Sequence, residues 1–304
     1  MTAAVLFQPT NPYTAITEKI IEAMKGDLRA YKMPWHTGDM PAHLPVNATT
    51  DAPYHGVNVL SLWIDALRKQ YPSWYWASYR QWQLVGAQVR KGERGTLIVF
   101  YKPIEKSVAE DASDARTPRY VARVSWVFNA AQVEGWTPPS LPIEAGFRAD
   151  EQADAFVSAT GARVRYGFHM ARYRRDLDDI EMPSSAWFTG SATSSPVQTF
   201  YATLLHELTH WSGAPHRLGR EFGKRFGDQA YAMEELVAEL GAAFLCAALG
   251  IANEPRPDHA AYLSSWLEIL NRDTRAIFFA ASRAQEAVEY LDGLATGRSI
   301  EQCD

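Results

Sequence analysis

The chain has 304 residues, 47% hydrophobic and 21% charged, which describes a folded globular protein and excludes an intrinsically disordered one. Its two cysteines, Cys246 and Cys303, imply no disulfide framework and fit no metal motif; the N-terminus lacks signal-peptide features and no apolar run reaches membrane-spanning length, so a cytoplasmic protein with no membrane partner is expected. The net charge of −5 hides a split: residues 1–106 carry 12 Lys and Arg against 8 Asp and Glu, whereas residues 107–304 carry 18 against 27, so only the first part suits polyanions.

The first half opens with a helix over residues 13–28 that sets Ile16, Ile20 and Met24 on one face. A turn-rich stretch follows, with Pro34, Gly38, Pro41, Pro45 and Pro53, then a helix over 57–69 and a short one over 79–85. The run Tyr71-Pro72-Ser73-Trp74-Tyr75-Trp76-Ala77-Ser78-Tyr79-Arg80-Gln81-Trp82 holds six aromatics in twelve residues. Aromatic faces stack bases without regard to sequence and nearby cations follow phosphates, so Trp74 and Trp76 with Arg90, Lys91 and Arg94 suit single-stranded nucleic acid. The competing reading is that these rings fill the core of a small domain. The turn Val89-Arg90-Lys91-Gly92-Glu93-Arg94-Gly95-Thr96 can present cations and N–H groups to a phosphate, or be a plain charged turn. Strands are expected over 96–101 and 120–128, flanking a polar excursion at 107–119. This α+β unit closes at about residue 136, and Pro138-Pro139-Ser140-Leu141-Pro142 reads as the core of a stiff linker over 137–146. Residues 147–304 then form a second unit, expected to fold separately.

That unit begins with a helix over 150–158 and strands over 162–166, 169–174 and 179–182, followed by helices over 197–211, 231–245, 258–270 and 274–290. The first of these later helices carries His206-Glu207-Leu208-Thr209-His210. On a helix the two histidines, four residues apart, project from one face and can hold one metal ion, with Glu207 placed to take a proton from an attacking water. The plain alternative is an amphipathic helix with two incidental histidines. A third ligand has two candidates. His216, after Gly213, has the metzincin spacing, but the nearest downstream methionine, Met233, falls inside a helix rather than in the turn such enzymes place beneath the metal. Glu235 lies on the next helix and is favoured, because a charged group on an apolar helix is expensive to bury without a cation. In thermolysin-like (gluzincin) enzymes a Glu on such a second helix ligates zinc and an acid four residues on orients a ligand histidine. By that resemblance Glu239 would orient His206 or His210, while Glu234 is read as a solvated helix position. Zinc, or another divalent transition metal, is the expected ion. A short mixed sheet ahead of such a helix is the general plan of zincin peptidases.

Both halves together resemble ArdC-type antirestriction proteins. The resemblance rests on Pro34-Trp35, Pro45-Val46-Asn47, Tyr54-His55-Gly56-Val57-Asn58, a Trp/Tyr-rich helix and the 89–96 turn in the first half. In the second it rests on Ile180-Glu181-Met182-Pro183, the segment 206–213, Arg217-Leu218 and Glu235-Leu236-Val237-Ala238-Glu239-Leu240-Gly241. It covers nearly the whole chain, with relatives as domains of plasmid TraC primases. It implies single-stranded DNA binding by the first domain, to which Trp35 and Tyr54 would contribute, and a zincin-like metallopeptidase domain in the second. It further implies protection of incoming conjugative DNA from host restriction, with a protein of the restriction system as a candidate substrate. The family pattern fixes no histidine at position 216, which also favours Glu235. Two other functions compete: a DNA-coating protein whose metal domain only stabilises the fold, and a plain zinc peptidase whose aromatic first domain binds peptide.

Overall fold

The computed structural model describes residues 11–26, 43–103, 120–139, 149–190, 194–223, 228–253 and 260–298. The polar excursion at 107–119, Trp35 and most of the 137–146 linker lie outside these residues. The fold is α+β, as expected.

In the first half, α1 (Pro12–Gly26) packs on α2 (Val57–Lys69), which in turn packs on a four-stranded sheet of order β1-β2-β5-β4. Its strands are β1 (Val46–Asn47), β2 (Tyr75–Ser78), β4 (Thr96–Pro103) and β5 (Tyr120–Asn129), with the last two paired antiparallel from Thr96 opposite Val127 to Pro103 opposite Tyr120. The aromatic run is not one helix. Tyr75–Ser78 is strand, and the short helix α3 (Tyr79–Leu84) starts only where Ser78 and Gln81 form a reciprocal capping box. β-Branched and aromatic residues favour the pleated, half-buried environment, and here that preference wins. Trp76 is 1% exposed and packs with Leu62, Ile98 and Val127, so the expectation that it stacks bases is corrected: its ring is core. Trp82 is also buried, with its indole N–H donating to the carbonyl of Phe128. A two-stranded antiparallel sheet of β3 (Gln88–Val89) and β6 (Val133–Glu134) completes the unit.

The second half has α4 (Ala149–Ala159) and a three-stranded sheet of order β7 (Val164–Tyr166), β9 (Asp179–Met182), β8 (Arg172–Arg174), with β7 parallel and β8 antiparallel to β9. Ile180 and Met182 on its inner face pack with Leu204, Leu205 and Leu208 of α5 (Pro196–Ser212). Three further helices follow: α6 (Gln229–Ala248), α7 (Ala260–Arg272) and α8 (Ala276–Thr296). No described helix is long and apolar enough to cross a membrane.

The two halves do not pack separately. Ile16, Ile20 and Met24 of α1 and Val59, Leu60 and Ile64 of α2 lie in one cluster with Leu236, Leu240 and Phe244 of α6, Trp266 of α7 and Ile277 of α8. The Thr17 hydroxyl donates to the carbonyl of Thr274 at 2.7 Å, and the Trp63 and Phe244 rings lie 6.0 Å apart. The physical reason is that the apolar side of α1 needs a cover. Each fully buried Ile or Met stabilises by roughly 1.5–3 kcal/mol, and α6–α8 supply the apolar surface that makes this burial possible.

Candidate metal centre

Helix α5 is begun by Ser195, whose hydroxyl accepts from the N–H of Gln198 in a capping box, with Pro196 at its first turn. Every residue from Phe200 to Ser212 is buried, so the histidines sit on a helix that is interior all round. Helix α6 crosses it closely at Gly241, where an added Cβ would lie 2.5 Å from Cγ2 of Thr209. This close approach, which only a glycine permits, brings Glu235 and Glu239 beside the histidines.

Among the described residues, His206, His210 and Glu235 form a group whose ligand atoms all lie within 4.8 Å of one another. The Nε2 atoms of His206 and His210 lie 3.5 and 3.7 Å from the two carboxylate oxygens of Glu235. Donors about 2.0–2.2 Å from one tetrahedral ion stand roughly 3.3–3.6 Å apart, so the separations found are close to what an ion requires. The opposite nitrogens face carboxylates too. His206 Nδ1 is 3.6 Å from Glu239, beyond the hydrogen bond expected there, and His210 Nδ1 is 3.1 Å from Glu234.

Glu234 was expected to be solvated, and this is corrected: it is 3% exposed and held between His210 and the Arg220 guanidinium, whose Nε donates to it at 3.0 Å. Arg220 also donates to the carbonyl of Thr209 and to the Ser212 hydroxyl. The segment after α5 is thus pinned over the helix end, and Gly213 is needed because a Cβ there would meet the Arg220 guanidinium at 2.7 Å. His216 does not join the cluster. Its side chain is exposed and its Nε2 lies 3.3 Å from Asp178.

Burial alone would push His210 down, but Glu235 first and then Glu234 outweigh it and raise the imidazole to about 10. Burial likewise opposes the charge on Glu235, yet His210 and His206 hold its carboxyl well below the usual range. Three buried carboxylates around two imidazoles call for positive charge, and among the described residues Arg220 supplies it to Glu234.

Glu207 lies in the same cavity, of about 360 Å³, whose walls include Met170, Phe222, Tyr231 and Tyr262. Its Oε2 accepts the backbone N–H of Tyr173 at 2.8 Å, so edge strand β8 holds the carboxylate in place. Tyr173 is tied through its hydroxyl to Asp178, which the Arg217 guanidinium pairs with and holds down at about 2. Sequence reading missed Glu234, Arg220 and this Tyr173–Asp178–Arg217 arrangement. The available signal was three glutamates within six residues of an apolar helix, which need counter-charges from elsewhere.

In the first half, Lys91 and Arg94 are exposed. Arg90 is also exposed but is committed to Glu93 at 2.8 Å and to the carbonyl of Ala131. Trp74 is half-buried against His43 and Tyr75, and the Tyr54 hydroxyl is bonded between Asn47 and the carbonyl of Trp76. The exposed rings are ones the sequence did not single out for this role: Trp126 is 57% and Tyr79 42% exposed. A Cβ on Gly95, next to Arg94, would lie 3.1 Å from Cβ of Trp126, so ring and cationic turn are neighbours.

Residues 151–283 match the zincin-like metallopeptidase family, and residues 10–133 match the N-terminal domain of anti-restriction factor ArdC. Protein y4eC of Sinorhizobium fredii is 44% identical over 288 residues, covering 93% of this chain and 92% of that protein. A DNA primase TraC of Escherichia coli is 34% identical over 292 residues, 91% of this chain but 26% of the primase. The metal-free crystal structure of the antirestriction ArdC protein from the R388 plasmid superposes with a TM-score of 0.78 at 37% identity, covering 95% of this chain and 99% of that one. The Mn(II)-bound structure of the same protein gives 0.76 at 36% identity, covering 95% and 100%.

Proposed function

The chain belongs to the ArdC antirestriction family, and from that premise we propose that it is a metal-dependent protein of the cytoplasm that binds single-stranded DNA and shields incoming conjugative DNA from host restriction. The observation that carries the metal reading is the convergence of His206 Nε2 and His210 Nε2 on Glu235, with Glu239 and Glu234 behind the two rings. His206, His210 and Glu235 are the ligands, and His216 is not. The R388 relative has been crystallised with Mn(II), and the donor set of two imidazoles and a carboxylate suits Zn²⁺ equally.

A divalent ion bound there supplies Lewis acidity toward a carbonyl and lowers the pKa of water. Glu207, oriented by the Tyr173 N–H, takes the proton from the attacking water and passes it to the leaving amine. Glu239 and Glu234 fix the ring orientation of the two histidines. A protein of the restriction machinery is the substrate class this reading assigns to the cleft. Single-stranded DNA is bound by the first half, where Trp126 and Tyr79 offer ring faces and Lys91 and Arg94 offer charge.

The test is metal content by mass spectrometry together with anisotropy of a labelled oligonucleotide, on the full chain and two variants. Glu235→Ala is expected to lose the metal, and Glu207→Ala to retain metal and DNA binding while losing any turnover of a peptide substrate. A full chain that takes up no divalent ion, or one that ignores single-stranded DNA at low salt, refutes the corresponding half.

A further inference from the structure

The stretch from Arg163 to Arg175 holds five arginines and no acidic residue, although the half of the chain that contains it is strongly acidic overall. Strand alternation puts four of them on one face. Arg165 of β7 and Arg172 of β8 both stand opposite Glu181 of β9, Arg174 stands opposite Asp179, and Arg163 lies two residues before Arg165. Ile180 and Met182, of the other parity on β9, are buried in the core, so the arginines stand on the outer face of the sheet.

The two carboxylates lie beneath the guanidiniums. The Asp179 and Glu181 side chains are 1% and 3% exposed, whereas those of Arg163, Arg172 and Arg165 are 63%, 48% and 39% exposed. Arg165 bridges both acids, at 2.7 Å to Asp179 and 2.9 Å to Glu181. Arg172 adds 2.7 Å to Glu181, and Arg163 adds 3.3 Å to Asp179. Arg174 reaches Glu181 at 3.4 Å but is held chiefly by Asp176, at 2.6 Å. Each guanidinium has five N–H groups; the acids take one or two of them and Arg163 gives one more to the carbonyl of Leu177 at 2.7 Å, which leaves N–H groups to spare on these exposed side chains. The carboxylates hold the guanidiniums in place, which lowers the entropy lost when an anion binds. Strands about 4.8 Å apart set the Cα atoms of Arg165 and Arg172, two strands distant, roughly 10 Å from each other, while both guanidiniums lean over the one Glu181 carboxylate and so lie closer together. Arg163, two residues before Arg165 and held by Asp179, extends this pair into a row of cations along which a phosphodiester backbone can lie.

We propose that the outer face of the β7-β9-β8 sheet, through Arg163, Arg165 and Arg172, is a contact surface for the phosphodiester backbone of a single-stranded nucleic acid. It lies on the metallopeptidase-like half, apart in sequence from the aromatic surface of the first half, and it extends the single-strand reading above and rests on it. Arg172 also lines the metal cavity, so the strand passes beside the mouth of that cleft.

The experiment is a salt titration of oligothymidylate binding by the full chain, followed by anisotropy. Each phosphate contact on a single strand contributes about 0.7 to the slope of log K against log salt, so Arg163→Ala with Arg172→Ala is expected to lower the slope by about 1.4; if the curves meet near 1 M salt, affinity at about 0.1 M falls roughly 25-fold. Replacing both by lysine should retain most of the slope. Arg163→Gln, the most exposed position, leaves Arg165 on Asp179 and serves if the double variant does not fold; it should lower the slope by about 0.7. A folded double-alanine or Arg163→Gln variant with an unchanged slope overturns the proposal and leaves the face as an ion-pair network. Loss of polyglutamate binding without loss of oligothymidylate binding also overturns it, in favour of an acidic protein partner. Binding that falls in Lys91→Ala with Arg94→Ala but not in the sheet variants removes this surface alone, whereas no binding by the unmodified chain removes the single-strand reading with it.

Discussion

Replacing Glu234 by Gln tests the electrostatic argument at the metal centre most directly. The Glu234 and Arg220 side chains are each 4% exposed, and Glu234 serves both the Arg220 guanidinium, at 3.0 Å, and His210 Nδ1, at 3.1 Å. Removing one partner of a buried pair costs about 3–5 kcal/mol, because the other charge is left without compensation. Arg220 keeps its bonds to the Thr209 carbonyl and the Ser212 hydroxyl, which places the loss at the lower end, about 3 kcal/mol. At about 2.1 cal/mol/K per residue, unfolding 304 residues carries about 0.64 kcal/mol/K, so the melting temperature should fall by roughly 5 °C. Since Glu234 also sets the ring of His210, metal affinity should fall by about 10- to 100-fold. Calorimetry in chelator measures the first effect, and competition against a metal-sensitive dye measures the second. Glu234→Ala combined with Arg220→Ala should cost less than the sum of the two single changes, because the double variant buries no unpaired charge. A Glu234→Gln protein with wild-type melting temperature and metal affinity would refute the reasoning.

Three other outcomes are expected. Gly241→Ala sets a methyl 2.5 Å from Cγ2 of Thr209, so it should destabilise by about 1–3 kcal/mol in urea unfolding, with Thr209→Ser, which removes that methyl, restoring part of the loss. Trp76→Ala should cost about 3–5 kcal/mol in the same assay while Trp126→Ala changes stability by no more than about 0.5 kcal/mol yet weakens oligonucleotide binding, since one ring is core and the other is exposed. Burial pushes the Asp65 carboxyl up, but Lys19 at 2.7 Å, the Thr96 hydroxyl at 2.5 Å and Lys69 outweigh it and hold it below its ordinary 3.8. Its stabilisation is therefore present above that value and lost as pH falls through the lowered one, so Asp65→Asn should be less stable than the native chain at neutral pH and converge with it in acid, as read from urea midpoints at each pH.

What the sequence by itself determined is whatever depends on spacing along one element. His206 and His210 share a face because a helix repeats every 3.6 residues, and Glu235 and Glu239 follow by the same rule. Helices over 57–69 and 197–211 and the strand over 179–182 were legible from the sequence pattern, while the start of the second helix at Pro196, capped by Ser195, was not read from it. What only the tertiary structure decided is whatever depends on two elements meeting. Glu234 differs from Glu235 by one position on an apolar helix, and nothing local says that Arg220 would fold back to neutralise it. Trp76 and Trp126 have the same side chain on neighbouring strands, and the face of the sheet that each occupies makes one interior and the other a surface. The apolar faces of α1 and α2 announce a partner without naming it. That partner is α6–α8, beyond the prolines that mark the boundary in sequence, because burying apolar area has no direction and takes the nearest complementary face in space.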